Sequence, residues 1–312
     1  MTNTNPIQLS YDVASFEAGV RFDQLAAQVF GDFSRSQIKQ WILSGELTLD
    51  GAKAAPKTRV KSEQCMLLST QIEDHSTDLP EAMELDIVYE DEHLMVINKP
   101  VGLVVHPGAG NRTGTLVNGL LHHEPALSKL PRAGLVHRID KDTSGLLVVG
   151  KTAPVQLALQ EQLKDKTVYR RYLALAVGEV RAQKISAPIG RHPSLRTRMA
   201  VVESGKTAVT HVEVLFKNAL FSWCSIKLET GRTHQIRVHM QHIDHPLWCD
   251  PVYLPARYNQ LLTYRDLPKI DRQVLHAAEL GFVHPVSGDA LRVHADLPGD
   301  IGELLEKLGI EL

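Results

Sequence analysis

From residue 85 onward the chain is built of short apolar runs separated by turn residues, and this pattern constrains its fold most strongly. The runs at residues 87–89 and 94–97, for example, flank the acidic turn Glu90-Asp91-Glu92. Apolar runs of this length, bounded by polar turns, predict β-strands. The same pattern predicts further strands at residues 146–149, 172–177, 209–216, 222–228 and 235–238.

Helical spacing of apolar residues is rarer in this part of the chain. It is found at residues 116–121 and 155–163. The regular alternation of strand and helix that builds a parallel α/β sheet is therefore missing. We expect an α+β domain over residues 85–312, with a mixed, mostly antiparallel sheet and flanking helices.

A smaller module precedes this domain, and we assign it to residues 15–75. Apolar residues between Val20 and Val29 recur at helical spacing, and a second helix is predicted to start at Ser34, which has capping-box spacing to Gln37. Gly45 ends that helix, and a strand at residues 47–49 then runs into the Asp50-Gly51 turn.

Charge is unevenly distributed along the chain. Residues 71–90 carry seven acidic residues and no Lys or Arg, and we interpret residues 76–84 as a linker. Residues 91–312 carry 27 Lys and Arg against 22 Asp and Glu, although the whole chain has a net charge of −2. This local excess of positive charge permits a nucleic-acid partner without requiring one.

Three scattered cysteines without a C-x-x-C pair predict neither a disulfide framework nor a thiolate zinc site. The N-terminus has no signal-peptide pattern, and no apolar run approaches the length of a membrane span. We therefore expect a cytoplasmic protein with no membrane association.

Three polar constellations are candidates for chemistry. The first is the loop His137-Arg138-Ile139-Asp140-Lys141-Asp142-Thr143-Ser144-Gly145, directly before a predicted strand. The second is the basic segment at residues 166–174, which contains two tyrosines, and the third is the segment at residues 230–239, a glycine turn into a predicted strand. Judged alone, the first loop is equally well explained as a turn whose polar side chains satisfy the local backbone.

Other enzyme classes fit these segments poorly. The histidines at 234, 239, 242 and 245 lack the spacing of a catalytic zinc motif, so structural or RNA-facing roles are favoured over metal binding. The protein-kinase catalytic loop places Asp directly after Arg, unlike His137-Arg138-Ile139-Asp140, and a Gly-x-Ser-x-Gly hydrolase motif is absent around Ser144.

Taken together, the constellations resemble the RluA family of pseudouridine synthases. The resemblance extends from about residue 16 to residue 298 and rests on several long motifs in the family's order. These are Tyr89-Glu90-Asp91-Glu92 with Ile97-Asn98-Lys99-Pro100, His106-Pro107, residues 136–146, Tyr172-Leu173-Ala174, residues 230–239 and Arg272-Gln273 with Leu275-His276-Ala277.

The N-terminal module is similar to the S4 RNA-binding domain. The matching residues are Arg21-Phe22-Asp23, Ser34-Arg35-Ser36 and the Leu49-Asp50-Gly51 turn. The resemblance implies that Arg21, Arg35 and Lys39 contact RNA. Gln64-Cys65-Met66 departs from the pattern, because a Gly-Asp turn is usual there.

The family resemblance implies roles for single residues. It makes Asp140 the essential carboxylate, Arg237 its cationic partner and Tyr172 the active-site tyrosine, which can stack on uracil and donate a proton. It also implies that Arg138 fills the gap left by a flipped base, and Arg232 joins it as an RNA-binding residue.

The same resemblance implies the reaction and its partners. Uridine isomerisation involves no redox change and no net group transfer, so we expect neither metal nor cofactor. The expected partner is large-subunit (23S) ribosomal RNA or an assembling large ribosomal subunit, and we expect a monomer. The alternatives are a synthase acting on another structured RNA such as tRNA, an S4-type RNA-binding or ribosome-assembly protein with an inactive domain, and a metal-dependent nuclease.

One segment departs from the family pattern. The usual Gly-Asp-Pro-x-Tyr-Gly is replaced by Cys249-Asp250-Pro251-Val252-Tyr253-Leu254, which lacks both glycines. The geometry of this turn is therefore open at the level of the sequence.

Overall fold

The structure is a computed structural model, and it describes residues 4–30, 33, 35–73, 79–108, 110–195, 197–258 and 267–310. The chain divides into two compact units, Met1–Thr77 and Asp78–Leu312. The predicted helix cap at Ser34 lies outside the described residues. Within the described ranges, no helix has the length and apolar character needed to cross a membrane.

The first unit is a small antiparallel sheet with two helices. Its elements are β1 (Thr4–Asp12), α1 (Phe22–Val29), α2 (Arg35–Ser44), β2 (Leu47–Leu49) and β3 (Cys65–Glu73). The strand order is β1-β3-β2. Apolar side chains of both helices, such as Phe22, Leu25 and Ile38, are buried in one cluster with Leu47 and Leu68 of the sheet.

Strand β1 lies outside the module predicted from the sequence, which began at residue 15. It pairs with β3 along its whole length, from Thr4 opposite Glu73 to Asp12 opposite Cys65. Its sequence, TNPIQLSYD, is mostly polar and contains a proline, so propensity alone does not indicate a strand. Pairing with β3 supplies the stabilisation that propensity does not.

The turn before β3 forms although it lacks the usual Gly-Asp. Glu63 takes the left-handed φ of 68° that a glycine would otherwise provide. The Asp50 carboxylate accepts a hydrogen bond from the Cys65 backbone N–H at 2.7 Å and another from the Gln64 side chain at 2.8 Å. Side-chain hydrogen bonds therefore hold this turn.

The second unit is built on one large sheet. Its strands are β4 (Ile87–Glu90), β5 (Leu94–Lys99), β6 (Ser144–Gly150), β7 (Tyr169–Val177), β8 (Gln183–Ser186), β11 (Val209–Lys217), β12 (Phe221–Leu228), β13 (Leu275–Val283) and β14 (Ala290–His294), while β9 (Ile189–Arg191) and β10 (Met199–Val201) form a separate hairpin. The order is β4-β5-β6-β13-β7-β12-β11-β8, with β14 on β13. Of the strands that the structure describes, only β6 and β13 pair in parallel, so the predicted mixed, mostly antiparallel sheet is confirmed.

Four helices flank this sheet: α3 (Leu116–His123), α4 (Ala153–Lys164), α5 (Gln235–His242) and α6 (Gly299–Lys307). Strand β6 is buried along its whole length, and its side chains alternate between two cores. Leu147 and Val149 join the cluster that contains α3 and α5 residues, whereas Leu146 and Val148 join the cluster of α4. Burial of both faces explains why this strand is a continuous apolar run.

The strand predicted at residues 235–238 is wrong, because these residues open helix α5. Ile236, Val238 and Met240 alternate with polar residues, which imitates the period of a strand. In the structure Arg237 and His239 are buried as well, so this part of the helix has no exposed face. Burial all round removes the amphipathic period that marks a surface helix.

Residues 79–84, part of the predicted linker at 76–84, are hydrogen-bonded to the second unit. The Asn118 side chain on α3 donates to the Leu79 carbonyl at 2.8 Å, and the Glu81 carboxylate accepts from the Gly114 backbone N–H at 2.6 Å. The acidic composition of this stretch therefore reflects a solvated surface strap rather than a free segment.

Candidate active site

Asp140 lies in the loop that leads into β6, and a buried lysine is hydrogen-bonded to the backbone of this loop. Lys99, at the end of β5, is fully buried and donates hydrogen bonds from Nζ to the Lys141 carbonyl at 2.9 Å and the Pro100 carbonyl at 2.6 Å. Burial lowers the pKa of Lys99 to about 7, against the opposing effect of nearby carboxylates. The loop backbone is thus held next to the catalytic candidate.

A second set of hydrogen bonds fastens the loop to β13. The Gln273 side chain donates to the Thr143 hydroxyl at 3.0 Å, and the Ser144 hydroxyl lies 2.9 Å from His276 Nδ1. Gly145 has a φ of +110°, and a Cβ there would lie 2.2 Å from the Ala277 carbonyl oxygen. Glycine is therefore required where β6 meets β13.

Arg237 on α5 joins Asp140 to a second carboxylate. Its Nη1 donates to Asp140 Oδ2 at 3.0 Å, while Nε and Nη2 donate to the two oxygens of Asp250 at 2.7 and 2.9 Å. Burial opposes the charge, but the hydrogen bonds and charge of Asp250, assisted by Asp140, raise the pKa of Arg237. The structure thus brings the predicted pair together and adds Asp250, which the sequence did not indicate.

The turn that carries Asp250 forms without the family's glycines. Cys249 stands where the first glycine is usual and adopts a left-handed φ of 58°. Asp250 Oδ1 accepts hydrogen bonds from the backbone N–H groups of Val252 at 2.8 Å and Tyr253 at 2.9 Å. The question left open by the sequence is answered, since the turn presents Asp250 to Arg237.

His234 is a further neighbour of Asp140, and the sequence favoured a structural or RNA-facing role for it over metal binding. It has a left-handed φ of 55° at the start of α5, and its Nε2 lies 3.9 Å from Asp140 Oδ1. The Tyr253 hydroxyl accepts the Met199 backbone N–H at 2.9 Å and lies 2.8 Å from His234 Nδ1. We assign the remaining hydroxyl proton to Nδ1, which places the ring proton on Nε2, the nitrogen that faces Asp140.

Burial lowers the pKa of His234, although the nearby Asp140 opposes this effect. The ring is therefore neutral near pH 7, in agreement with an Nδ1 that accepts. Left-handed backbone at a residue other than glycine is uncommon and clusters at functional sites.

One cavity of about 390 Å³ connects these residues. Asp140, Tyr172, Arg237, Arg138 and Arg232 all line it. Tyr172 is 6% exposed, and burial raises the pKa of its hydroxyl. The five residues that the sequence assigned to this domain therefore share one cavity.

Cations surround the rim of this cavity. Arg138 is exposed, and Arg232 is exposed and donates from Nε to the Thr207 carbonyl at 3.1 Å. These side chains leave the entrance positive, which suits a polyanionic substrate.

The first unit carries the other three predicted RNA-binding residues, Arg21, Arg35 and Lys39. Arg21 pairs with Asp23 at 2.6 Å, and Lys39 is exposed on α2. The side chain of Arg35 lies outside the described residues.

The four histidines once considered as metal ligands do not converge. His239 is buried and bonds Thr210 and the Ala187 carbonyl, and His245 bonds the Val177 carbonyl. Among the residues that the structure describes, no group of three His, Cys, Asp or Glu is placed to hold a metal ion.

The arrangement at the cavity floor suits chemistry by a carboxylate. The Asp140 side chain is 19% exposed and lines the cavity, and Arg237 binds its Oδ2, which leaves Oδ1 without a hydrogen bond from this arginine. A positioned carboxylate can act as a nucleophile or accept a proton. The ring of Tyr172 provides a surface for a planar base.

Comparison with known proteins agrees with this geometry. The family described as RNA pseudouridylate synthase matches residues 93–242. "Ribosomal large subunit pseudouridine synthase D" of Escherichia coli K12 is 46% identical over 306 residues, covering 96% of this chain and 94% of the relative. The protein of the same name from Xanthomonas campestris is 46% identical over 297 residues, covering 93% and 89%.

Solved structures show the same fold. "Human RNA Pseudouridylate Synthase Domain Containing 1" matches with a TM-score of 0.53 and 26% identity, covering 70% of this chain and 86% of that one. "Human RNA Pseudouridylate Synthase Domain Containing 4" has a TM-score of 0.56 and 24% identity, covering 72% and 94%. The predicted family is confirmed: the chain belongs to the RNA pseudouridine synthases.

Proposed function

We propose that this pseudouridine synthase isomerises specific uridines in large-subunit (23S) ribosomal RNA. Its relatives carry that substrate in their names and align with almost the whole chain, including the S4-like first unit. Supporting residues for RNA binding are Arg138 and Arg232 at the cavity rim, together with Arg21, Arg35 and Lys39 in the first unit.

The observation that carries the mechanism is the Asp140–Arg237 contact of 3.0 Å at the floor of the cavity. A uridine in structured RNA is stacked, so it must be flipped out to reach Asp140. Arg138, exposed at the rim, is suited to fill the gap in the stack because its planar cation also binds phosphate.

Within the cavity, Asp140 acts as the nucleophile or proton acceptor while the N1–C1′ bond breaks and the C5–C1′ bond forms. Tyr172 stacks on the detached uracil. Because the pKa of Tyr172 is raised, its hydroxyl stays protonated at neutral pH and can donate a proton. The reaction transfers no group to a second molecule and changes no oxidation state, so its chemistry calls for no cofactor.

The test is Asp140→Asn, which keeps the size of the side chain and removes its charge. We expect no pseudouridine in transcribed 23S rRNA, with an unchanged far-UV circular dichroism spectrum. Asp244→Asn is the matched control, since Asp244 is 84% exposed. Full activity of Asp140→Asn contradicts the assignment of the essential carboxylate.

The substrate is tested by mapping pseudouridines in a strain that lacks the protein. We expect sites to disappear from 23S rRNA and to return with the wild-type gene but not with Asp140→Asn. Loss of sites from tRNA alone contradicts the rRNA assignment. We further propose a cytoplasmic location, which the three free cysteines and the bacterial relatives support, and a monomeric state.

A further inference from the structure

Arg170 is unusual among the buried arginines of the described chain. Arg237 and Arg272 are also buried, and each is bonded through two nitrogens to a carboxylate, Asp250 and Asp300 respectively. Arg170 is only 6% exposed, yet it has no carboxylate partner among the residues that the structure describes.

The guanidinium of Arg170 is also incompletely hydrogen-bonded. Its Nη2 donates to two backbone carbonyls, those of Leu228 at 3.5 Å and Glu229 at 3.3 Å. Its buried Nε has no hydrogen-bond partner within the described ranges. Nη1 lies beside Gly231, where a Cβ would approach it to 2.9 Å, so the glycine makes room for this group.

An arrangement of this kind costs stability. Burial lowers the pKa of Arg170, but a guanidinium remains charged at neutral pH, so a positive charge is buried with no counter-ion in the described part of the chain. A hydrophobic side chain of similar length would be less costly there. The fold alone therefore does not explain an arginine at this position.

The position of Arg170 indicates where its counter-ion belongs. It lies two residues before Tyr172 on β7, so both side chains are on the same face of the sheet. Both line the cavity that contains Asp140. The missing negative charge would therefore come from whatever occupies that cavity.

We infer that Arg170 binds an oxyanion of the substrate nucleotide, either a uracil carbonyl oxygen or a backbone phosphate oxygen. This inference rests on the proposed function, because it takes a uridine in RNA as the occupant. When the N1–C1′ bond breaks, its electron pair can remain on the uracil, and the carbonyl oxygens share the charge. C5 then bonds C1′ and loses its proton, and N1 gains one, so the charge is present only during the reaction.

The experiment compares Arg170→Met and Arg170→Lys with the control Arg171→Met. Arg171 is the next residue, faces the other side of the sheet and pairs with Glu279. The probe is a transcribed 23S rRNA fragment that contains a uridine modified by the wild-type enzyme. Thermal unfolding, the Kd over a range of salt concentrations and the single-turnover rate at saturating enzyme are measured.

We expect Arg170→Met to unfold at a higher temperature than wild type while its function falls. If Arg170 binds a uracil oxygen, the single-turnover rate falls at least about 10-fold with an unchanged Kd. If it binds a phosphate, the Kd rises and the slope of log Kd against log salt falls by about 0.7–0.9. In either case Arg170→Lys recovers part of the loss.

Two results overturn the inference. One is an Arg170→Met protein whose rate and Kd equal those of Arg171→Met, which shows that no substrate charge is bound. The other is a lower unfolding temperature for Arg170→Met, which shows a structural role. The unfolding measurement does not require a modified uridine, so it separates failure of this inference from failure of the proposed substrate.

Discussion

Replacing Asp250 with Asn tests whether the position of Arg237 depends on a second carboxylate. The Asp250 side chain is fully buried and accepts two of the three carboxylate hydrogen bonds that Arg237 makes. Asn keeps an oxygen that can accept the backbone N–H groups of Val252 and Tyr253. It places an amide N–H₂ against a guanidinium N–H, however, and removes the buried negative charge.

Removing one partner from a buried ion pair costs about 3–5 kcal/mol. Asp140 remains as a partner for Nη1, so we expect the lower value, about 3 kcal/mol in the free energy of unfolding. For a unit of this size that corresponds to a decrease in Tm of about 6–12 °C. Displacing Arg237 by about 1 Å would also disturb Asp140, with an expected loss of about 100-fold in single-turnover rate.

The assays are thermal unfolding and release of tritium from RNA labelled at C5 of uridine, the atom that loses its hydrogen. Asp244→Asn is the control, because Asp244 is exposed and its left-handed backbone suits Asn. The double variant Arg237→Met/Asp250→Asn removes both charges, so its stability loss should be smaller than the sum of the single losses. An Asp250→Asn protein with wild-type Tm, or additive losses in the double variant, refutes the reasoning.

Three further predictions concern single side chains. Nitrogen-15 NMR should show the His234 ring protonated at Nε2. His234→Gln, which keeps a donor toward Asp140, should retain more activity than His234→Asn. A ring protonated at Nδ1, or equal activities of the two variants, contradicts the assigned hydrogen bond from the Tyr253 hydroxyl to Nδ1. Gly145→Ala should lower the free energy of unfolding by more than about 4 kcal/mol or prevent folding, because its Cβ would meet the Ala277 carbonyl oxygen. The control Gly299→Ala, whose Cβ would have no described atom within 4 Å, should change the free energy of unfolding by less than about 1 kcal/mol. Burial lowers the pKa of His137 to about 3, and its Nε2 accepts the Val148 N–H, so the unfolded chain binds more protons below about pH 6.5. The free energy of unfolding should therefore fall from about pH 6.5 towards pH 3 by up to about 1.4 kcal/mol per pH unit, and less steeply in His137→Gln. The measurement is urea unfolding at several pH values. Equal slopes of the free energy of unfolding against pH in the two proteins refute this prediction.

Much of the second unit could be predicted from local pattern. Strands β4, β5 and β6 and helices α3 and α4 are bounded by turn residues and have a clear period, so their positions follow from the sequence. Residues 235–238 were assigned wrongly because Arg237 and His239 are buried with polar partners, which hides the helical period. Strand β1 was missed because its stability comes from pairing with β3.

The resemblance to a known family predicted more of the candidate site than local sequence pattern did. Asp140 and Arg237 are separated by 97 residues in the chain, and local spacing cannot show that they meet. Asp250 was noticed only as part of a turn without its glycines, and its contact with Arg237 depends on the tertiary fold. Arg170 lies in a basic segment, but only the three-dimensional structure shows that no described carboxylate pairs with it.

The fastening of the Asp140 loop to β13 bears on when the enzyme becomes competent during its own synthesis. The Gln273–Thr143 and His276–Ser144 bonds join residues 130 and 132 positions apart. Contacts of such long range form late, because the intervening chain must first be ordered. A ribosome making this protein must therefore release β13 before these bonds form. A nascent chain that ends earlier has the Lys99 contacts to the catalytic loop but not its fastening to β13.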